Sequence, residues 1–235
     1  MISDFELAIL SRSVETAYLI PYIDDVEDYV WEAIWHEAKE LTLGEGLART
    51  KRLFDVVDVD SYVGWSAKTL VAVGGNLEPG RAFEFVIQRA DVIKKQAELG
   101  FRGLSLDSDP QVLGAAVMAH WRAKVLGDAE YQGVEYARMA ILLKNRTRTE
   151  FSVMDEELHL PSDDELVWDW TNASRTGLQG RDAHDDFVRY RWYPNQTQLF
   201  ERMRIPQTAR TFELTPRKLE LAELLAVFQR AGYIS

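Results

Sequence analysis

Residues 54–70 read FDVVDVDSYVGWSAKTL, a run with the texture of a strand pair that nevertheless carries Asp55, Asp58, Asp60 and Lys68. β-Branched and aromatic residues flank a polar Asp60-Ser61-Tyr62 turn, which predicts a hairpin with strands near 53–59 and 63–73. Burying a charge is costly unless it is compensated, so these side chains need solvent or one another.

Side chains alternate along a strand, so Gly64, Ser66 and Lys68 share one face and Trp65, Ala67 and Thr69 the other. On the preceding strand Asp58 and Asp60 share a face, and Asp55 points oppositely unless a bulge intervenes. A carboxylate and an ammonium projecting together from neighbouring strands suit a metal-and-water site. The carboxylate holds a hard cation, and the lysine orients or deprotonates a water and stabilises developing negative charge. Such chemistry wants a second acid, yet position 66 is serine. Residues 80–98 read as a helix begun after Pro79 and closed by Gly100. That helix would carry Glu84 in its first turns, with Gln88 one turn on and Asp91 on roughly the same face.

The order Asp, Ser66-x-Lys68, Glu84 on strand, strand and helix resembles the PD-(D/E)xK nuclease superfamily. More narrowly it is similar to type II restriction endonucleases in which serine takes the usual acid position and a glutamate of the following helix replaces it. Motif support covers about residues 50–98, and beyond that only the order of elements is similar. The resemblance implies an α/β fold with a restriction endonuclease-like core, a mixed central β-sheet flanked by helices. It implies Mg²⁺ held by Asp55, Glu84 and the backbone carbonyl of Ala67, with Lys68 helping to activate water. Ser66 and Gln88 would support the site. The activity implied is hydrolysis of double-stranded DNA at a short specific site, leaving 5′-phosphate and 3′-hydroxyl ends, by a homodimer or higher homo-oligomer. The proline that precedes the aspartate in that family is missing: Phe54 precedes Asp55, and valines precede Asp58 and Asp60. The family pattern favours Asp55, eleven residues before Ser66, whereas strand parity favours Asp58. Asp60 reads as turn chemistry. Two other readings stand beside this one: a repair, recombination or modification-dependent defence nuclease of the same fold, and a non-enzymatic α/β interaction module.

The remainder of the chain supplies context. Residues 24–41 form an amphipathic pattern with acidic residues in the first turn, as the helix dipole prefers, and LTLGEG ends it. DSDPQVLGAAVMAHWRAKVLG predicts a helix capped before Pro110 and ended by Gly127. YARMAILLK and TEFSVM predict a strand pair joined by a polar turn, and LVWDWTN, FVRYRWY and ARTFEL predict further strands. ASRTGLQGRDAHDD reads as a polar loop, NQTQLFERM as a short helix and TPRKLELAELLAVFQRAGYI as a capped closing helix. No linker or repeat divides the chain, so one domain over 1–235 is expected, with DNA-recognition strands and loops over about 136–215. Arg146, Arg148, Asn172, Arg175, Gln179 and Arg181 are residue types that contact phosphates or base edges.

The formal net charge of −11 opposes a purely electrostatic nucleic-acid binder without excluding a local basic surface. Acid excess concentrates in residues 1–68, while the rest is nearly balanced. The chain has no cysteine, which excludes disulfides and thiolate metal sites, and its four histidines show no zinc-binding spacing. No apolar run reaches membrane-spanning length and the first residues lack a basic leader, so a cytoplasmic protein without a membrane partner is expected.

Overall fold

The computed structural model describes residues 1–41, 52–215 and 217–233. The protein is α/β; the described residues form four helices and two five-stranded sheets rather than one mixed central sheet. Within 1–235 the chain gathers into two compact units: Met1–Pro79, Gly133–Glu157 and Ile205–Ser235 form the first, Gly80–Gln132 and Leu158–Arg204 the second.

The first unit opens with α1 (Asp4–Leu19), started by a capping box. The Glu6 N–H donates to Ser3 Oγ at 3.2 Å, and the Ser3 N–H donates back to Glu6 Oε2 at 2.7 Å. Helix α2 (Asp28–Ala38) follows, inside the range its periodicity predicts; the break expected from Leu41 lies mostly outside the described residues. The hairpin forms as expected from β1 (Val56–Asp58) and β2 (Val63–Val71), with Val56 opposite Trp65. β4 (Tyr136–Lys144) lies parallel to β2, and β5 (Glu150–Glu157) and β10 (Arg210–Glu213) continue antiparallel. The strand order is β1-β2-β4-β5-β10. Leu10, Val14, Trp31 and Trp35 of the two helices bury against Val56, Trp65, Ala67, Ala140 and Leu142 of the sheet. The Trp31 indole satisfies its N–H by donating to the Ala140 carbonyl at 2.9 Å. The closing helix α4 (Leu221–Arg230) forms as expected and buries none of its residues.

Two predicted helices are strands in the second unit. Residues 82–89 form β3 (Ala82–Arg89), and residues 198–204 form β9 (Gln198–Arg204). The reason is period-two burial: Phe83 and Phe85 are buried while Ala82 and Val86 are exposed, and Leu199 and Glu201 are buried between half-buried neighbours. β-Branched and aromatic residues then outweigh the helix-start signal of Pro79. The predicted loop 173–186 likewise contains a strand, β7 (Leu178–Asp182), between β6 (Leu166–Trp170) and β8 (Val188–Tyr193). All neighbours in the order β3-β9-β8-β7-β6 are antiparallel. Helix α3 (Pro110–Gln132) runs through Gly127 rather than ending there. Asp109 caps it, accepting from the Gln111 N–H at 2.8 Å. Gly114 of α3 and Gly180 of β7 both approach the Trp168 ring so closely that neither has room for a Cβ.

Among the described residues no helix is long and apolar enough to cross a membrane.

Candidate catalytic site on the edge of β2

β1 pairs with β2 only as far as Trp65, so the backbone of β2 beyond that point needs other partners on the same side. Two aspartates supply them. The Asp55 N–H donates to the Trp65 carbonyl at 2.9 Å, and Asp55 Oδ2 then accepts the Ala67 N–H at 2.8 Å. Two residues on, Asp28 Oδ1 accepts both the Thr69 N–H at 2.7 Å and the Thr69 hydroxyl at 2.9 Å. Residues 65, 67 and 69 present their peptide groups to one side of the strand, so the Ala67 carbonyl faces the same edge between the two carboxylates.

Lys68 completes the group. Its Nζ donates to the Ala67 carbonyl at 2.9 Å and lies 3.7 Å from Asp55 Oδ2. Both side chains keep about a quarter of their surface accessible, 24% for Lys68 and 22% for Asp55. Burial pushes the Asp55 carboxyl above the usual carboxylate range; Lys68 and the Ala67 N–H oppose that rise, and the Asp28 charge adds to it. Ser66 is buried beside them.

Asp28 begins α2, and a second set of charges fixes the segment that leads into it. Lys144, only 3% exposed, donates to Asp25 Oδ1 at 2.8 Å and to the Val26 carbonyl at 2.7 Å. Arg148 reaches Asp25 Oδ2 at 3.2 Å, and the Tyr18 hydroxyl donates to Asp25 Oδ1 at 3.0 Å. The buried ammonium, paired with Asp25 and the Val26 carbonyl, ties strand β4 to the start of α2. Arg148, read from sequence as a DNA contact, is thus committed to this internal tie, whereas Arg146 is exposed at the β4–β5 turn.

The other sequence candidates fall elsewhere. Asp58 is spent on the hairpin turn: it accepts the Asp60 N–H at 3.1 Å and the Ser61 hydroxyl, and the Ser61 bond holds its carboxyl below the usual range. Its pairing position opposite Val63 is at the turn end of β2, away from Lys68, so the parity argument for Asp58 is outweighed by Asx-turn chemistry. Asp60 is exposed in that turn, as expected. Glu84 belongs to the second unit and sits on strand β3, not on a helix; its Oε2 accepts from Arg191 at 3.1 Å. Gln88 follows a bulge in the same strand, with its side-chain nitrogen buried and unpartnered among the described residues. Asn172 bonds to Thr176 within a turn, and Arg175 donates to the Leu106 carbonyl at 2.7 Å and to Asp107 at 2.5 Å. Gln179 and Arg181 lie on β7.

Asp28 is the residue that sequence reading missed. An aspartate in the first turn of a helix is what the helix dipole favours anyway, so nothing local marks it. Among the described residues no group of three or more histidines or carboxylates is arranged to hold a metal ion. A pair of carboxylates with a carbonyl between them still fits Mg²⁺, which is commonly bound through one or two carboxylates, waters and substrate phosphate oxygens. Comparisons with protein-family models, with curated proteins and with solved structures find no match to this chain.

Proposed function

We propose that this protein is a Mg²⁺-dependent nuclease that hydrolyses phosphodiester bonds in double-stranded DNA, with site-specific cleavage of the type II restriction kind as the form its motif favours. One observation carries the reading: Asp28, Asp55, the Ala67 carbonyl and Lys68 converge on one edge of β2.

In this reading Asp55 and Asp28 hold the cation, and the Ala67 carbonyl is a third oxygen. A bound Mg²⁺ would supply Lewis-acid polarisation of the phosphate and acidify a nearby water. Lys68 orients the attacking water and stabilises the negative charge that builds on the phosphoryl oxygens. The water oxygen forms a bond to phosphorus and gives up a proton to solvent as the bond to the 3′-oxygen breaks, and the leaving oxygen takes up a proton. Asp28 takes the role that the sequence motif gives to Glu84.

The test is digestion of a sequenced plasmid with Mg²⁺, followed by sequencing of the ends. Discrete fragments with 5′-phosphates are expected from the parent, and Lys68→Ala should cut at least about a hundredfold more slowly, the scale of losing a positioned general acid–base group. Equal rates for parent and variant would reject the site; cleavage confined to branched or modified DNA would reassign the enzyme to repair or defence.

A further inference from the structure

The sheet of the second unit has one face covered within that unit and one not. Trp168, Tyr190, Trp192 and Leu199 are buried on the covered side, where Trp168 meets Gly114 of α3. On the other side Val167 of β6 and Val86 of β3, on strands at opposite ends of the strand order, remain 48% and 40% exposed. Register defines what lies between them. Gln179 faces Arg191, Arg191 faces Phe200 and Phe200 faces Val86, a row across four strands. Val167 faces Arg181, Glu84 faces Arg202 and Gln198 faces Arg89.

Arg89, Arg181, Arg191, Arg202 and Arg204 therefore share this face with only two carboxylates, Asp169 and Glu84. Arg181 pairs with Asp169 and with Asp186, Arg191 with Glu84 and Arg204 with Asp185, Asp185 and Asp186 both belonging to the β7–β8 turn. Arg89 and Arg202 have no carboxylate partner among the described residues, and Arg191 keeps its Nε unpartnered. The concentration of arginine contrasts with the whole chain: the first unit carries most of the net charge of −11, and the second is nearly neutral.

We propose that this open sheet face binds the phosphate backbone of double-stranded DNA. The choice of duplex rests on the nuclease reading above; the choice of a polyanion rests on the arginines. Guanidinium groups bind phosphate through paired N–H donors, and an arginine without a carboxylate loses no ion pair when it does so. Five strands at about 4.8 Å spacing make a platform about 19 Å across, wider than the major groove at about 12 Å, so the face spans a groove and reaches backbone on both sides. Phe200 and Tyr193, in edge contact at 5.3 Å between ring centres, pack in the middle of the platform. Residues 80–132 and 158–204 leave the first unit's sheet after β2 and after β5 and return to it, so this platform is built from two excursions of the chain that contribute no strand to the sheet carrying Asp55 and Lys68.

The experiment measures binding of the full chain to a fluorescent duplex by anisotropy over a salt series, with Ca²⁺ replacing Mg²⁺ to prevent cleavage. In the double variant Arg89→Gln/Arg202→Gln, affinity at low salt should fall at least about tenfold. The slope of log affinity against log salt should shrink by about 2, close to 0.9 for each phosphate no longer neutralised. Arg12→Gln, on α1, serves as the control and should change neither. A double variant that keeps the parent's affinity and slope overturns the proposal, and so does tighter binding of single strands than of duplex. A parent that cuts plasmid while the double variant binds as well as it does refutes this surface and leaves the nuclease reading standing. A parent that never cuts but loses duplex binding in the double variant does the reverse.

Discussion

Two carboxylates that burial disfavours, one in each unit, meet opposite treatment. Asp55 lies at a strand edge, keeps access to solvent, and has a lysine and a second aspartate beside it. Glu201 is 2% exposed on the covered face of the second sheet, with the Tyr190 hydroxyl at 3.4 Å and Arg189 at 4.0 Å. Burial raises both carboxyls, and in Glu201 it drives the value to about 7. The same physical cost thus has two uses. At Asp55 the charge stays open to solvent beside Lys68; at Glu201 it is sealed in, and the carboxyl instead holds its proton over the mildly acidic range.

The largest effect expected from this contrast concerns Glu201. Its folded value lies above the ordinary carboxylate value of 4.5, so the folded state binds the proton more tightly than the unfolded chain. Its contribution to stability is complete below pH 4.5 and is lost as pH rises to about 7. Across that window the loss amounts to about 3.5 kcal/mol at most, at roughly 1.4 kcal/mol per unit. Glu201→Gln should flatten the fall of stability with pH, as read by urea denaturation at several pH values. An unchanged pH profile would break the comparison on the side of the second unit.

The next effect is on metal binding and sharpens the first unit's side. Asp28→Asn should weaken the thermal shift produced by Mg²⁺ or Mn²⁺, raising the half-saturating concentration about tenfold or more, the scale of losing a group that supports a metal site. Glu84→Gln should leave that concentration unchanged. Differential scanning fluorimetry over a metal titration ranks the two variants, and the opposite ranking would return Glu84 to the metal.

The smallest effect is a gain. Asp55→Asn removes a carboxylate that burial penalises, while the amide oxygen still accepts the Ala67 N–H. At pH 7 the variant should melt above the parent, as read by thermal denaturation followed by circular dichroism. The gain should vanish below about pH 4, where the parent's carboxyl is protonated in both states. A lower melting point at pH 7 would mean that Asp55 stabilises the fold rather than straining it.

Much of the fold is legible locally. The 54–70 hairpin, the 110–132 helix, the 136–157 strand pair and the closing helix each carry their period and turn signals within a few residues. The failures at 82–89 and 198–204 have a common cause. Both segments are polar on one face, and their alternation is interrupted by residues such as Ile87 and Glu201, whose burial depends on strands and a helix far away in sequence. The site divides the same way. Sequence alone sets the stretch holding Asp55 and Asp58 beside the strand of Ala67 and Lys68, because a short turn leaves little choice of register, but it leaves both aspartates open as the partner of Lys68. The second acid is not a local matter. Only tertiary structure brings Asp28, forty residues before Lys68, to the edge of the same strand, because Lys144, Arg148 and Tyr18 fix the segment ahead of it and the Thr69 N–H, beyond the reach of β1, needs a carboxylate to accept it.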